Sequence, residues 1–339
     1  MRAARLYGVR DLRVEEVDRP EPGLGEAMIR IHACGVCPSD LRSYLGSSSR
    51  MSVPRTPGHE WTGVVVSLGA DTDDATIKVG DRVVADWRYV CGSCYQCRRG
   101  VFNYCEKLRS GVRGGFAEYG AAPLQQLRVI PDNVSFEEAS FTEPLACIVQ
   151  AHGYTEIKLG EDVVIVGAGP IGLLHLQVAL HRGGRVIVSD PIASRLEKAK
   201  ELGAHETIDA SATDPVERVK ELTEGRGANA VIVAVGHPEP IRQGLAMGAI
   251  NAWVNLFAGT YPSVELPIDP NWIHYRQLRV TGSHDFTPHH FTTALRLIQY
   301  GIVRVGPLIS HRFELDGVRD AFETTAGRTG LKSMVRLAN

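Results

Sequence analysis

The sequence predicts an α/β protein with a small barrel-like β domain, a doubly wound parallel-sheet domain, and a tail that rejoins the first. Three observations predict this. Short alternating runs broken by Gly and Pro fill roughly the first 90 residues; after Glu161 apolar runs alternate with amphipathic helices; and a glycine-rich turn, Gly167-Ala168-Gly169-Pro170-Ile171-Gly172, follows the first of those runs. With 339 residues and 44% apolar content, two cores can be buried. The expected divisions are 1–155, 156–287 and 288–339.

In the first part, Ala27-Met28-Ile29-Arg30-Ile31 and Gly63-Val64-Val65-Val66 read as strands, with turns at Pro22-Gly23 and Gly80-Asp81. Between these runs Cys37 lies in a turn-like segment, and His59-Glu60 follows Pro57-Gly58. Thiolate, imidazole and carboxylate together favour Zn²⁺, and three such ligands leave a position for water or an alcohol, as a catalytic zinc requires. The plain alternative is a buried cysteine, a core histidine and a solvated glutamate.

Next comes Cys91-x2-Cys94-x2-Cys97-x7-Cys105, four of the seven cysteines on one short excursion. This spacing suits a closed, four-thiolate structural zinc. A disulfide knot is disfavoured in a chain with no secretory leader pattern, and an iron–sulfur cluster uses similar ligands.

In the second part, apolar runs at 163–166, 185–189, 230–235, 252–257 and 278–281 read as parallel strands buried on both faces, with helices such as 171–181 and 194–202 between them. Gly167, Gly169 and Gly172 allow a tight turn that brings the backbone to a pyrophosphate, with Pro170 and Ile171 opening the helix whose dipole faces it. Asp190, 18 positions after Gly172, would accept the ribose hydroxyls and repel a 2′-phosphate, which favours NAD over NADP. Arg195 partly softens that repulsion. Val235, at the end of its run, is placed beside the cofactor. A helix at 289–300 and short strands after 308 form the returning tail, and two crossings between domains would leave a cleft.

These residues resemble the zinc-dependent medium-chain dehydrogenases, in particular the polyol branch with sorbitol and threonine dehydrogenases. The motifs carrying the resemblance are Cys34-Gly35-Val36-Cys37-Pro38-Ser39-Asp40, Gly58-His59-Glu60, the four cysteines, Gly114-Gly115-Phe116-Ala117-Glu118-Tyr119, Glu143-Pro144-Leu145-Ala146-Cys147 and the glycine turn. The resemblance implies a GroES-like catalytic domain and a Rossmann coenzyme domain. It implies that Cys37 and His59 are ligands of the catalytic zinc, that Glu60 is a direct or alternating ligand, and that Glu143 reaches the metal itself or through water. Asp40 would orient His59. Cys34 would be a small buried residue, and Cys147 packs. Two zinc ions and one NAD per chain are expected, with assembly as a homodimer or homotetramer.

Two positions depart from the family pattern. Arg42 replaces a proton-relaying histidine, and a guanidinium stays charged. Asp285 stands near where an arginine is expected, which suits an amino-bearing polyol or aminocyclitol. Phe116, Arg42 and Asp285 are the candidate substrate contacts.

A net charge of −2 and a pI near 6.6 give no field for nucleic acid or an anionic membrane, so the expected partner is a small molecule. No apolar run approaches a membrane span, and the N-terminus lacks a leader, so a cytoplasmic location is expected. The expected chemistry is interconversion of a secondary alcohol and its ketone. A divalent cation lowers a hydroxyl pKa from about 16 toward about 7, roughly 12 kcal/mol, and Ser39 is placed to take the proton. A threonine-type or simple alcohol dehydrogenase would share these motifs, as would a sensor that kept NAD but lost turnover, although intact Cys37, His59, Glu60 and Glu143 argue against the latter.

Overall fold

The computed structural model describes residues 1–47, 52–72, 76–109 and 114–337. The chain divides into two compact units, Met1–Ala146 with Thr287–Asn339, and Cys147–Phe286. The first division falls inside the helix Thr142–Gly153, nine residues before the position expected from the sequence, because the helix continues through the change in patterning.

The first unit begins with the hairpin β1 (Arg2–Gly8) and β2 (Asp11–Glu16), followed by β3 (Glu26–Gly35), β4 (Glu60–Leu68), β5 (Arg82–Ala85), β6 (Tyr119–Pro123) and β7 (Leu127–Val129). Apolar residues alternate along β3, so Ala27, Ile29 and Ile31 face a core with Leu6, Trp61, Phe116 and Phe322.

The second unit contributes β8 (Asp162–Val166), β9 (Arg185–Asp190), β10 (Glu206–Asp209), β11 (Ala228–Val233), β12 (Gly248–Leu256) and β13 (Arg279–Gly282). All pair in parallel in the order β10-β9-β8-β11-β12-β13, which in the unit's own count is 3-2-1-4-5-6, the Rossmann order. Helices such as Pro170–His181 and Ala193–Glu201 connect the strands. Val164, Ile187, Val231 and Val254 form the heart of the core. Both faces of β8 and β9 are covered, which is why they read as continuous apolar runs.

The chain then returns to the first unit with β14 (Ile309–Glu314) and β15 (Lys332–Arg336). These complete a seven-stranded sheet ordered β14-β15-β3-β4-β5-β7, with β6 also paired to β3. The important register lies at the end of β3: Gly35 pairs with Met334 of β15 on one side and with Glu60 of β4 on the other. A strand from the C-terminal tail therefore lies next to the strand that leads to Cys37 and one strand away from Glu60.

Candidate metal centre and dinucleotide turn

Cys37 leaves the end of β3 in extended conformation (φ −96°, ψ 146°) and caps the short helix Pro38–Tyr44. Pro38 opens that helix, where its missing N–H is no loss. On the other side Gly58 turns the chain with φ +98°, and a side chain there would press on Phe116 and the Cys34 sulfur. Cys34 is thus a buried packing residue beneath the loop, and burial pushes its thiol well above the usual range. His59 and Glu60 follow directly.

One donor atom from each of Cys37, His59 and Glu60 lies within 4.8 Å of the others. Ser39 Oγ sits 3.3 Å from the Cys37 sulfur and 3.4 Å from His59 Nε2. Asp40 is buried, with Oδ2 3.4 Å from His59 Nδ1 and Oδ1 accepting the Gly58 N–H at 3.2 Å. Engaging Nδ1 leaves Nε2 for a metal. Burial opposes charge on both residues, yet their pairing outweighs it: Asp40 stays below its ordinary pKa, and His59, facing Asp40 and Cys37, is raised well above its own. The pocket is built to stabilise a cation.

Glu60 supplies a second sign. It is buried, and among the described residues no donor reaches its Oε1. An unpaired buried carboxylate oxygen is costly, and a metal would satisfy it. Its Oε2 is ion-paired with Lys332 Nζ of β15. Burial works against charge on Lys332, but Glu60 and Cys37 overcome this and raise its pKa. Glu143 opens the helix Thr142–Gly153, with Oε1 3.9 Å from His59 Nε2 and accepting the Trp87 indole N–H at 3.1 Å. The donor set Cys37, His59 and Glu60, with Glu143 at its edge, fits zinc with an open position.

Lys332 and Trp87 were not among the residues singled out from sequence. The only local signal for Lys332 is a lysine opening the strand-like run Lys332-Ser333-Met334-Val335, and for Trp87 an aromatic residue just before the cysteine excursion.

The substrate candidates separate. Phe116 is corrected from a substrate contact to a core residue: it is fully buried, packed edge-on against Phe322 with ring centroids 5.4 Å apart, and has no surface to offer a ligand. Arg42 lies partly exposed in the last turn of its helix. Asp285 belongs to the other unit, at φ +63°, with Oδ1 accepting the Phe286 N–H at 3.0 Å.

Cys91, Cys94, Cys97 and Cys105 each place a sulfur within 4.8 Å of the others, and none of the seven cysteines is in a disulfide. Backbone N–H groups point at the sulfurs, Cys91 to Cys105 at 3.3 Å and Cys94 to Cys91 at 3.4 Å. Hydrogen bonds from the Ser93 and Cys94 backbone lower the Cys91 thiol to about 6, whereas burial pushes Cys97 up to about 12. Four sulfurs around one point suit a closed four-thiolate zinc, whose charge would ionise all four.

In the second unit, β8 leads into Gly167 at φ +104°. A Cβ there would meet Val235 at 2.5 Å, and one on Gly172 would overlap the Gly167 carbonyl. Gly169 caps the helix, with Pro170 in its first turn. Asp190 ends β9, its carboxylate accepting the Ala168 N–H at 2.7 Å and the Ile192 N–H at 2.9 Å, with Arg195 4.0 Å away. The turn, helix N-terminus and acidic strand end have the form of a dinucleotide site.

Asp40→Asn should leave the fold intact and weaken zinc binding at the Cys37 centre by about 10- to 100-fold, the usual cost of losing a ligand's hydrogen-bond partner. Chelator competition, with the four-cysteine zinc as internal reference, measures this. Unchanged affinity would remove Asp40 from the site.

The family model for the alcohol dehydrogenase GroES-like domain matches residues 23–132, and that for zinc-binding dehydrogenase matches 170–300. L-threonine 3-dehydrogenase of Pyrococcus horikoshii is 37% identical over 328 residues, 93% of this chain and 92% of that protein. Sorbitol dehydrogenase of Halalkalibacterium halodurans is 34% identical over 97% of this chain and 96% of its own length. A zinc-binding dehydrogenase structure from Sinorhizobium meliloti 1021, with NADP bound, superposes with a TM-score of 0.93 at 34% identity, covering 99% of this chain and 98% of that one. With such matches over nearly its whole length, the chain is an oxidoreductase that belongs to the zinc-dependent medium-chain alcohol dehydrogenase family.

Proposed function

We propose that the protein interconverts a secondary alcohol of a polyol, sugar alcohol, cyclitol or amino-polyol with its ketone, using zinc and NAD(H). The observation that carries this reading is the clustering of Cys37, His59 and Glu60 with Glu143 at its edge. Three protein ligands suit an open zinc, and the Glu143-Pro144-Leu145 run is part of the resemblance to the polyol branch. When bound, zinc supplies acidity to the substrate hydroxyl and the nicotinamide accepts the hydride.

The chain's own residues do the rest. Cys37, His59 and Glu60 would hold the metal, and Asp40 fixes the tautomer of His59. Ser39 Oγ, beside both Cys37 and His59, is placed to accept the hydroxyl proton because a serine hydroxyl both accepts and donates. Arg42 cannot relay that proton onward, so it leaves Ser39 through water. Asp190 keeps lone pairs for the ribose hydroxyls and would repel a 2′-phosphate, so NAD is preferred over the NADP held by the Sinorhizobium protein. Asp285 would recognise an amino substituent.

A threonine-type activity is the second reading, favoured by the Pyrococcus relative. Threonine also carries a secondary alcohol, so the zinc chemistry is common to both. Absorbance at 340 nm separates them when NAD is supplied with threonine, neutral polyols and amino-polyols in turn. Polyol oxidation abolished by a chelator and faster with NAD than NADP is expected. Turnover of threonine alone would favour the second reading, and no turnover of any alcohol would overturn both.

The partner set includes a second copy of this chain. β13 ends the six-stranded sheet, and among the described residues no strand pairs with its outer edge. Ile250, Trp272 and Tyr275 are exposed in the preceding segments. An open edge and exposed aromatics favour self-pairing into a homodimer or homotetramer. Light scattering should give two or four times the 37.0 kDa chain mass, and a monomer at micromolar concentration would contradict this.

A further inference from the structure

Lys332 and Glu60 form an ion pair with side chains only 7% and 1% exposed. Removing two such charges from water is costly, so a lysine here is tolerated only through the groups it faces. Backbone register creates the meeting. β15, β3 and β4 lie side by side, and Gly35 of β3 sits between the two charged residues. A Cβ on Gly35 would overlap the Glu60 carboxylate and lie 2.8 Å from Lys332 Cε. The missing side chain is what lets a cation from the C-terminal tail reach across a strand to a carboxylate beside Cys37 and His59.

The pairing divides the carboxylate, since Oε2 is taken by Lys332 while Oε1 has no donor among the described residues. We propose that Lys332 is a positioning residue that pins Oε2, so that Glu60 offers the metal a single oxygen and a coordination position stays open for the alcohol. This rests on the zinc reading above. With both oxygens bound, Cys37, His59 and Glu60 alone would supply four donor atoms, so the alcohol could enter only as a fifth ligand and the tetrahedral open position would be lost. Charge points the same way. The Cys37 thiolate, Glu60, Glu143 and Asp40 together outweigh a divalent cation by two negative charges, and the Lys332 ammonium halves that excess. Without that ammonium the centre would hold a substrate anion less well.

Cobalt placed in this centre alone, with zinc kept at the four cysteines, tests the proposal by visible absorption without any need for turnover. The wild-type protein should show the intense bands of a four-coordinate ion. In Lys332→Met the bands should weaken several-fold as Oε2 joins Oε1, and cobalt should leave to a chelator more slowly; Lys332→Arg should retain the wild-type spectrum. Wild-type and Lys332→Met spectra that coincide would overturn the role of Lys332. Should the methionine variant fail to fold, a weak five-coordinate spectrum in the wild type would overturn it instead. A wild-type centre with no sulfur-to-cobalt charge-transfer band would defeat the zinc reading itself, an outcome distinct from both.

Discussion

Three adjacent strands, β15, β3 and β4, meet at a glycine, and the candidate metal centre depends on that crossing. Gly35 has no side chain, so Glu60 and Lys332 can approach each other over the strand whose continuation carries Cys37. A larger residue would force the carboxylate away from the thiol. The backbone ladder thus fixes the spacing of thiol and carboxylate before any metal binds, and rigid strands hold such a spacing better than loops do. The tail following β14 belongs to the chemistry as well as to the fold, because it brings the only cation in contact with Glu60 among the described residues.

Around this crossing, each group has a second partner that restricts what it can do. Asp40 occupies Nδ1 of His59, Lys332 occupies Oε2 of Glu60, and Trp87 occupies Oε1 of Glu143. Those partners are buried or partly buried, so their interactions are little screened by salt. Burial alone would penalise every charge here, but Asp40, Glu60, Glu143 and Cys37 surround the pocket and raise His59 and Lys332 above their ordinary pKa. A divalent cation is the species such a field selects. At the four cysteines, backbone N–H groups and the Ser93 hydroxyl are directed at sulfur among the described residues, in keeping with a structural ion.

Much of the fold was legible because its patterns are local. β8 and β9 read as apolar runs since both faces are covered, and the glycine turn declared itself by sitting between a strand and a helix. β10 escaped notice because an edge strand with the sequence Glu206-Thr207-Ile208-Asp209 buries only Ile208. Val235 was read as part of its strand, but β11 stops at Val233 and Val235 instead covers the Gly167 turn. Cys37, His59 and Glu60 were legible as chemistry, because thiol, imidazole and carboxylate are common metal ligands. Lys332 was not. It stands 272 positions from Glu60, and only sheet register, which local sequence does not encode, joins them. Phe116 was expected among the substrate contacts, whereas the missing side chain of Gly58 lets its ring pack into the core.

Zinc-edge X-ray absorption on the fully loaded protein tests the central claim most directly, because sulfur and lighter ligands scatter differently. Two ions per chain, one held by Cys91, Cys94, Cys97 and Cys105 and the other by Cys37, His59 and Glu60, should average about 2.5 sulfur neighbours per zinc, with nitrogen or oxygen making up the rest. A single zinc per chain surrounded by sulfur alone would mean that the Cys37 pocket holds no metal, and the proposed alcohol chemistry would lose its acid.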